Sequence, residues 1–572
     1  MPSLLKRAGS LCSPNGVLLL FATIYVCATF VFPLFSMLAA SEGLSGYVKV
    51  VTDGFYWTIL FNTFKLSAIV AAGTLLVAYP LAMRACMAGP RMRLILLIFM
   101  TVPMWTSLLA RSYAWISVLD RRGLVNSVLT SLQITGSPLK LLHTTGATVI
   151  GSIYIMLPMM ALALFAQMSK IDLTTLKAAR TLGAGPAQTF LRVFLPLSFP
   201  GIVSGTVLTF IVSLGLFVTP VLLGGPQDRT FSMLIEQEVN TFGNFSRAAE
   251  LSVFLLVVSG LLLLVLLRLT NRRQRPGRRA KAITGTRAAG LLARLIVMLR
   301  IFEMRWFWNV VILAVLAFIM LPLVTLVPMS LGSSNYLEFP PKTYSLRWYD
   351  ALFHDSRWIT AFLNSLMVGL LAALISVVVG TSAALAMRDR RQRGARLIAP
   401  LFVAPSLIPP MVYAIGAYIT SVPLGLQDSV LGLALAHSAL AIPFVFIISE
   451  TGLAGIGERV EQAAQSLGAR WTSRVWRITL PLLIPSIAVG GLIAFITSFD
   501  EIVVALFLSG IHVQTLPKTF WRAAILEVTP IVPAAAVTIM AAGLTVVSVA
   551  ALMLHLSRSR AGRNPSSVFI GR

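Results

Sequence analysis

The sequence predicts an all-α membrane protein of about twelve transmembrane helices, arranged as two tandem six-helix domains. Three observations lead to this fold class: the composition, the spacing of apolar runs and an internal duplication. Of the 572 residues, 57% are hydrophobic and only 12% are charged. A soluble protein could not cover that much apolar surface. About 20 apolar residues cross a bilayer, and the chain contains roughly twelve such runs.

The apolar runs fall into two similar sets. In the first half they lie at about 17–39, 56–83, 94–119, 146–167, 201–223 and 248–267. In the second half they lie at about 307–331, 361–387, 397–420, 429–449, 486–509 and 530–555. The run 17–39 is too long for a typical signal peptide and lacks a clear cleavage site, so it is interpreted as the first span. The predicted domains are 1–267 and 307–572, joined by a basic linker at 268–306.

A duplicated stretch links the fourth and fifth spans of each half, and its two copies lie 285 positions apart without a gap. Such a long register indicates duplication rather than chance. The matched residues are Lys177, Ala178, Ala179, Gly183, Leu195 and Pro196 in the first copy and Gln462, Ala463, Ala464, Gly468, Leu480 and Pro481 in the second.

Each copy predicts a helix-turn-helix. Val460, Ala463, Ala464 and Leu467 follow the i, i+3, i+4, i+7 spacing of one helical face. Glycine then permits a turn, and a second short helix leads to the next span. A helix with a face of small residues suits docking into a groove on another protein. The alternative is an ordinary amphipathic connector.

The pattern of Ala-Ala, Gly and Leu-Pro resembles the cytoplasmic-loop signature of binding-protein-dependent ABC importer permeases, and the chain resembles two such permeases fused. The resemblance implies a type I importer fold, two copies of a cytoplasmic ABC ATPase as partners and a periplasmic substrate-binding protein. Both copies depart from the family's leading acid, which suggests asymmetric docking. The implied ATPase-coupling residues are Lys177, Ala178, Ala179, Gly183, Glu461, Gln462, Ala463, Ala464 and Gly468.

The net charge of +26 comes from Lys and Arg residues that lie between the apolar runs. This placement fits the positive-inside rule better than nucleic-acid binding. It predicts that both termini, the linker and both signature loops are cytoplasmic. The family resemblance implies that the membrane is the bacterial inner membrane. Arg121 and Arg122 violate the rule, because their loop is expected outside.

Further motifs resemble the two permeases of spermidine/putrescine-type importers. In the first half these are Pro103-Met104-Trp105 and Tyr113-Ala114-Trp115; in the second, Ser498-Phe499-Asp500-Glu501. The resemblance implies a small polar solute, polyamine-like or another small organic ion.

Among the charged residues within the apolar runs, we single out Arg111, Asp500 and Glu501. Because a charge at bilayer depth costs about 2.5 kcal/mol or more, such residues usually face a cavity or a partner. They are candidates for the translocation pathway. The alternatives are a snorkelling or helix-pairing arginine and a structural pair of hydrogen-bonding acids.

No nucleotide-binding loop of the Gly-x-x-x-x-Gly-Lys-Ser/Thr type is present. The three cysteines fit neither a disulfide framework nor a metal site, and no cofactor is expected. The five histidines are interpreted as structural or solvated. A non-enzymatic permease driven by a separate ATPase is therefore predicted. The alternatives are a twelve-span secondary transporter driven by an ion gradient, and a channel or scaffold; the two signature loops favour the importer.

Overall fold

The computed structural model describes residues 14–273, 305–388, 395–526 and 530–545. Most of the predicted linker, part of the arginine-rich run after Met387 and both chain ends lie outside the described residues. Within the described part, all regular secondary structure is helical apart from one isolated β-bridge between Gly332 and Tyr344.

The helices of the first half are α1 (Pro14–Ala39), α2 (Leu44–Thr52), α3 (Gly54–Met87), α4 (Pro90–Thr101), α5 (Leu108–Leu119), α6 (Leu124–Ser131), α7 (Thr145–Met168), α8 (Leu173–Thr181), α9 (Pro186–Leu214), α10 (Val218–Leu223), α11 (Phe231–Asn240) and α12 (Phe245–Arg273). Those of the second half are α13 (Arg305–Ser330), α14 (Arg347–His354), α15 (Ser356–Met387), α16 (Ala395–Val403), α17 (Pro410–Ser421), α18 (Val430–Ile456), α19 (Glu458–Ser466), α20 (Trp471–Phe499), α21 (Val503–Leu508), α22 (Leu516–Leu526) and α23 (Ile531–Thr545).

Among the described residues, nine helices are long and apolar enough to cross a membrane, and two bent pairs raise the number to eleven. The shorter apolar helix α23 lies where the twelfth span was predicted. The structure therefore confirms the predicted all-helical membrane fold.

The duplication extends to the bounds of the helices. The pairs α8/α19, α9/α20 and α10/α21 have the same lengths and lie 285 positions apart. Earlier in each half, α3/α15 and α5/α17 begin 302 positions apart. The difference of 17 residues falls in the loop that contains α6, between α5 and α7. The two halves therefore share one plan, with an insertion in the first.

The caps at the start of the long helices repeat as well. Asp53 accepts a hydrogen bond from the Phe55 amide at 2.8 Å to begin α3, and Asp355 accepts one from the Arg357 amide at 2.9 Å to begin α15. Such caps satisfy amide groups that have no partner within the helix. The start of each second span is therefore determined locally.

The third span of each half is broken, although the sequence predicted continuous helices at 94–119 and 397–420. The helices on either side of the break meet at 94° in the first half and at 103° in the second. The first break contains Pro103 in a 3-10 turn, and the second ends at Pro409 and Pro410. Proline lacks the amide that would continue the helix, so the break follows from local chemistry.

The fifth span also differs from the prediction. The predicted second helix of each helix-turn-helix is not separate, because α9 and α20 continue through a π turn into the membrane-spanning part. The π turns, Phe190–Phe194 and Val475–Thr479, lie just before Pro196 and Pro481. A wider turn accommodates a proline ring that would otherwise clash with the preceding turn. Each span then breaks before its short last helix, α10 or α21.

The chain forms two compact units. One holds the described residues within Met1–Gly43, Tyr349–Glu527 and Thr538–Arg572, and the other those within Leu44–Trp348 and Val528–Val537. The first span of each half thus packs in the unit formed mainly by the other half. The predicted domain boundaries follow chain order rather than contacts, and they stay a prediction.

Specific contacts fix these first spans. In the first unit, the Tyr25 hydroxyl of α1 lies 2.6 Å from the Ser438 hydroxyl of α18. In the second unit, the Tyr154 hydroxyl of α7 donates to the Ile319 carbonyl of α13 at 3.2 Å. The Phe318 ring packs against Trp115 with centroids 5.3 Å apart. Each first span is therefore an integral part of its unit.

Candidate functional site

The short helices α8 and α19 follow the fourth span of each half and carry most of the predicted coupling residues. Asp172 begins α8 by accepting a hydrogen bond from the Thr174 amide at 2.9 Å, whereas Gly457 occupies the matching position before α19. Both helices end at a glycine with left-handed backbone, Gly183 at φ +87° and Gly468 at φ +79°. The structure confirms the turn that the glycines predicted, since L side chains rarely adopt this conformation.

Each short helix carries exposed apolar side chains in addition to the ones that it buries. Leu182 is 88% exposed and its counterpart Leu467 is 87% exposed. Val460 on the same face is 45% exposed, and Ala178 and Ala463 are exposed too. These matched exposed positions are the candidates for a protein contact at the two short helices. We call Leu182 with Ala178, and Leu467 with Ala463 and Val460, the coupling faces.

The predicted coupling residues differ in whether their side chains face solvent or the interior. Lys177 and Gln462 are exposed beside the coupling faces. Ala179 and Ala464 are turned inward, and Ala464 is buried. Glu461 also turns inward, because its carboxylate lies 3.0 Å from the Arg388 guanidinium. The predicted coupling residues are thus close together within each unit, but they do not share one face.

The predicted pathway residues belong to different units. Arg111 is buried in α5 of the second unit, and Tyr413 of α17 occupies the matching position 302 residues later. Asp500 and Glu501 lie in the break between α20 and α21. The Glu501 carboxylate accepts a hydrogen bond from the Val504 amide at 2.8 Å. Glu501 therefore caps α21, and this contact supports the alternative that Glu501 is a structural residue.

Sequence reasoning did not single out His437, which had been grouped with the structural or solvated histidines. The structure places it in the interior of α18, 1% exposed, with Nδ1 2.8 Å from the Ser498 hydroxyl. Of the two alternatives, the structural one therefore applies to this histidine. The position of His437 in the middle of an apolar run is the sequence feature that indicates its burial.

A second feature that the sequence did not reveal is a carboxylate clamp in each half. Asp428, just before α18, accepts hydrogen bonds at 2.8–2.9 Å from the backbone amides of Gly510, Ile511, His512 and Val513. In the first half, Asp228 accepts from the Thr145 and Thr148 hydroxyls and from the Gly225 amide. Both clamps tie the loop after the short last helix to the start of the fourth span.

The charge state of Asp428 follows from its partners. Burial by itself raises the pKa of this carboxyl, but the four backbone amides favour its ionised form and together lower the pKa below the usual value. The clamp is therefore ionised at neutral pH.

The family whose profile describes a binding-protein-dependent transport system inner membrane component matches residues 8–279 and 376–561. The chain belongs to this family. It is a multi-pass membrane protein of a bacterial inner-membrane permease family, with two copies of the family domain in one polypeptide. This confirms the resemblance to importer permeases.

Individual relatives point to the same family. The spermidine/putrescine transport system permease protein PotB of Salmonella typhimurium (strain SL1344) is 32% identical over 222 residues, which cover 39% of this chain and 77% of the relative. The corresponding PotC of Haemophilus influenzae is 29% identical over 245 residues, covering 43% of this chain and 95% of the relative.

A solved bacterial ABC transporter involved in the import of the acidic polysaccharide alginate is 17% identical, with a TM-score of 0.34. The match covers 47% of this chain and 97% of that one. At this level of similarity, no property is transferred to the present chain.

Proposed function

We propose that this chain carries both ATPase-docking helices of an ABC importer for a small polar solute. The observation that carries the proposal is the pair of coupling faces, which are apolar, exposed and placed at the same positions of the repeat. Two copies of a cytoplasmic ATPase would each cover one face. The chain carries no nucleotide-binding loop of its own, so ATP hydrolysis belongs to the partner.

In the proposed cycle, movement of the short helices α8 and α19 reorients the long helices. A periplasmic binding protein delivers the solute to the end of the spans opposite α8 and α19. ATP binding brings the two ATPase subunits together and moves α8 and α19. Because each short helix is joined by a glycine turn to the start of a long helix, α9 or α20, its motion changes the tilt of that helix. The solute site then opens alternately to the two sides of the membrane.

The docking of the two ATPase copies is expected to be asymmetric. Lys177 is a cation where Gln462 is neutral, and both side chains are exposed next to a coupling face. The two sites therefore present different charges to otherwise equivalent partner surfaces.

The proposed solute is a polyamine or another small organic ion. PotB and PotC are named as spermidine/putrescine permeases, and the present chain is similar to both. Asp500 and Glu501 would supply negative charge beside the break of the fifth span. Carboxylates attract an amine more strongly where the local dielectric is low.

Docking can be tested with Leu182→Ser and Leu467→Ser. Burying a leucine side chain contributes about 1.5–3 kcal/mol, so each variant should weaken binding of the cognate ATPase about tenfold or more, and the double variant more strongly. Leu132→Ser is a matched control, because Leu132 is 64% exposed in the loop after α6. Affinity is measured on the purified chain in detergent. Unchanged affinity in the double variant would contradict docking at the coupling faces.

A further inference from the structure

The two short helices are attached to their own spans by different chemistry. In the second half, the Arg388 guanidinium at the end of α15 lies 3.0 Å from the Glu461 carboxylate of α19. It also donates to the Gly457 carbonyl at 3.2 Å, just before α19 begins. The Thr479 hydroxyl, in the π turn of α20, donates to the same Glu461 oxygen at 2.5 Å. Glu461 thus connects α19 to two long helices, α15 and α20.

The first half has uncharged, buried side chains at the same three positions. Cys86, 302 positions before Arg388, is 4% exposed at the end of α3, and its thiol donates to the Met168 carbonyl at 3.2 Å. Leu176 and Phe194, 285 positions before Glu461 and Thr479, are 9% and 1% exposed. All three belong to one hydrophobic cluster that also contains Met168 and Ile312. At these positions, the duplicated plan therefore uses mainly apolar packing in one half and an ion pair with a hydroxyl donor in the other.

The two kinds of attachment respond differently to substitution. The side chains of Arg388 and Glu461 are only 15% and 26% exposed, so both charges are largely removed from water. Removing one partner leaves the other charge without compensation, which is costly. Replacing the whole set with apolar residues of suitable volume is often neutral. The first half is itself an example of the apolar arrangement.

The contacts of Arg388 also determine how α19 can move. Arg388 contacts the residue before α19 and a side chain in the first turn of α19, and it directly follows the 32-residue helix α15. A cation at this end of a helix also interacts favourably with the helix dipole. A displacement of α19 by a partner is therefore transmitted to α15 as well as along α20.

We propose that Arg388 and Glu461 are positioning residues that tether the short helix α19 to α15, the second span of the same half. This assignment rests on the proposed function, because it is the ATPase that would move α19. It gives Glu461 a role inside the chain, where the family resemblance implied a contact with the ATPase. Helix α8 needs no such pair, since its Leu176 is held by packing.

The tether can be tested by hydrogen exchange on the purified full chain, without solute or partner. Arg388→Gln and Glu461→Gln should each speed amide exchange in 458–466 at least tenfold. Exchange in 173–181 of the same molecules should stay unchanged, which shows that the fold is intact. The triple variant R388C, E461L and T479F, which copies the first half, should restore slow exchange. Arg477→Gln, at an exposed arginine of the same π turn, is the matched control for charge loss and should have no effect.

A second measurement tests the role in coupling. In proteoliposomes with the cognate ATPase and binding protein, the spermidine taken up per ATP hydrolysed should fall at least tenfold in the single variants and recover in the triple variant. If uptake and ATP hydrolysis fall by the same factor in the single variants, the tether does not act in coupling. Unchanged exchange in the single variants, or no recovery in the triple variant, would overturn the tether itself. Failure of the wild type to take up spermidine would overturn the proposed solute and leave the exchange result to decide the tether.

Discussion

At the residue scale, the two turn glycines carry the most definite prediction. Gly183 and Gly468 adopt left-handed backbone. Apart from the glycine itself and its two chain neighbours, no described heavy atom lies within 4 Å of the position that a Cβ would occupy. A side chain there would be opposed by backbone strain of about 1–2 kcal/mol rather than by crowding. Gly468→Val should therefore distort the end of α19 and reduce ATP-driven uptake about tenfold, with normal amounts of chain in the membrane.

Two variants control for this effect. Gly468→Asn should be milder, because asparagine tolerates left-handed backbone. Gly455→Val, at a glycine that also has open space but no positive φ, should be nearly silent. Normal uptake by the combined Gly183→Val and Gly468→Val variant would contradict a role for these turns.

The acidic pair beside the broken fifth span gives a second prediction at this scale. Glu501→Gln removes the charge but keeps an oxygen that can accept from the Val504 amide, so the cap on α21 is preserved. If the charge attracts a cationic solute, polyamine uptake should fall at least tenfold at matched expression, and Asp500→Asn should lower it further. Unchanged uptake in the double variant would show that both acids are structural.

At the element scale, the Asp428 clamp predicts a pH-dependent loop. Its ionised form accepts four backbone amides, and its pKa is lowered in the folded state. The stabilisation is therefore fully present above the unfolded pKa of about 3.9 and is lost as the pH falls through the lowered folded value. Charge-assisted hydrogen bonds to a carboxylate that solvent reaches are worth on the order of 1–2 kcal/mol in total.

Amide exchange in 510–513 checks the clamp. Asp428→Asn should exchange several times faster than the wild type at pH 7, and the two should converge in acid, below the folded-state pKa. Asp350→Asn, an exposed acid on α14, is the control. A ratio between variant and wild type that does not change with pH would contradict the charge-based explanation.

The elements also show where sequence reasoning succeeds and where it fails. Helix α19 was predictable because its spacing and its glycine are local signals that occur twice. The breaks at Pro103 and Pro409 were missed, because averaged hydropathy stays high across a turn. The pair of Arg388 and Glu461 was missed for another reason, since its members are distant in the chain and meet only after folding.

At the scale of the whole molecule, the packing of the first spans could not have been predicted from apolar runs. Hydropathy assigns α1 to the first half, whereas the Tyr25 and Ser438 hydroxyls join it to the unit of the second half. Side-chain complementarity decides this partner, and a hydropathy pattern carries no such information. The cytoplasmic location of both chain ends stays a prediction that follows from charge placement.

The central claim is that this permease is driven by a separate ATPase acting on α8 and α19. Uptake of labelled spermidine into proteoliposomes, with and without the cognate ATPase and binding protein, tests it most directly. The claim predicts uptake only when the chain, both partners and ATP are present together, with no loss when ionophores dissipate ion gradients. Uptake by the chain alone, driven by an imposed ion gradient and insensitive to ATP, would contradict it.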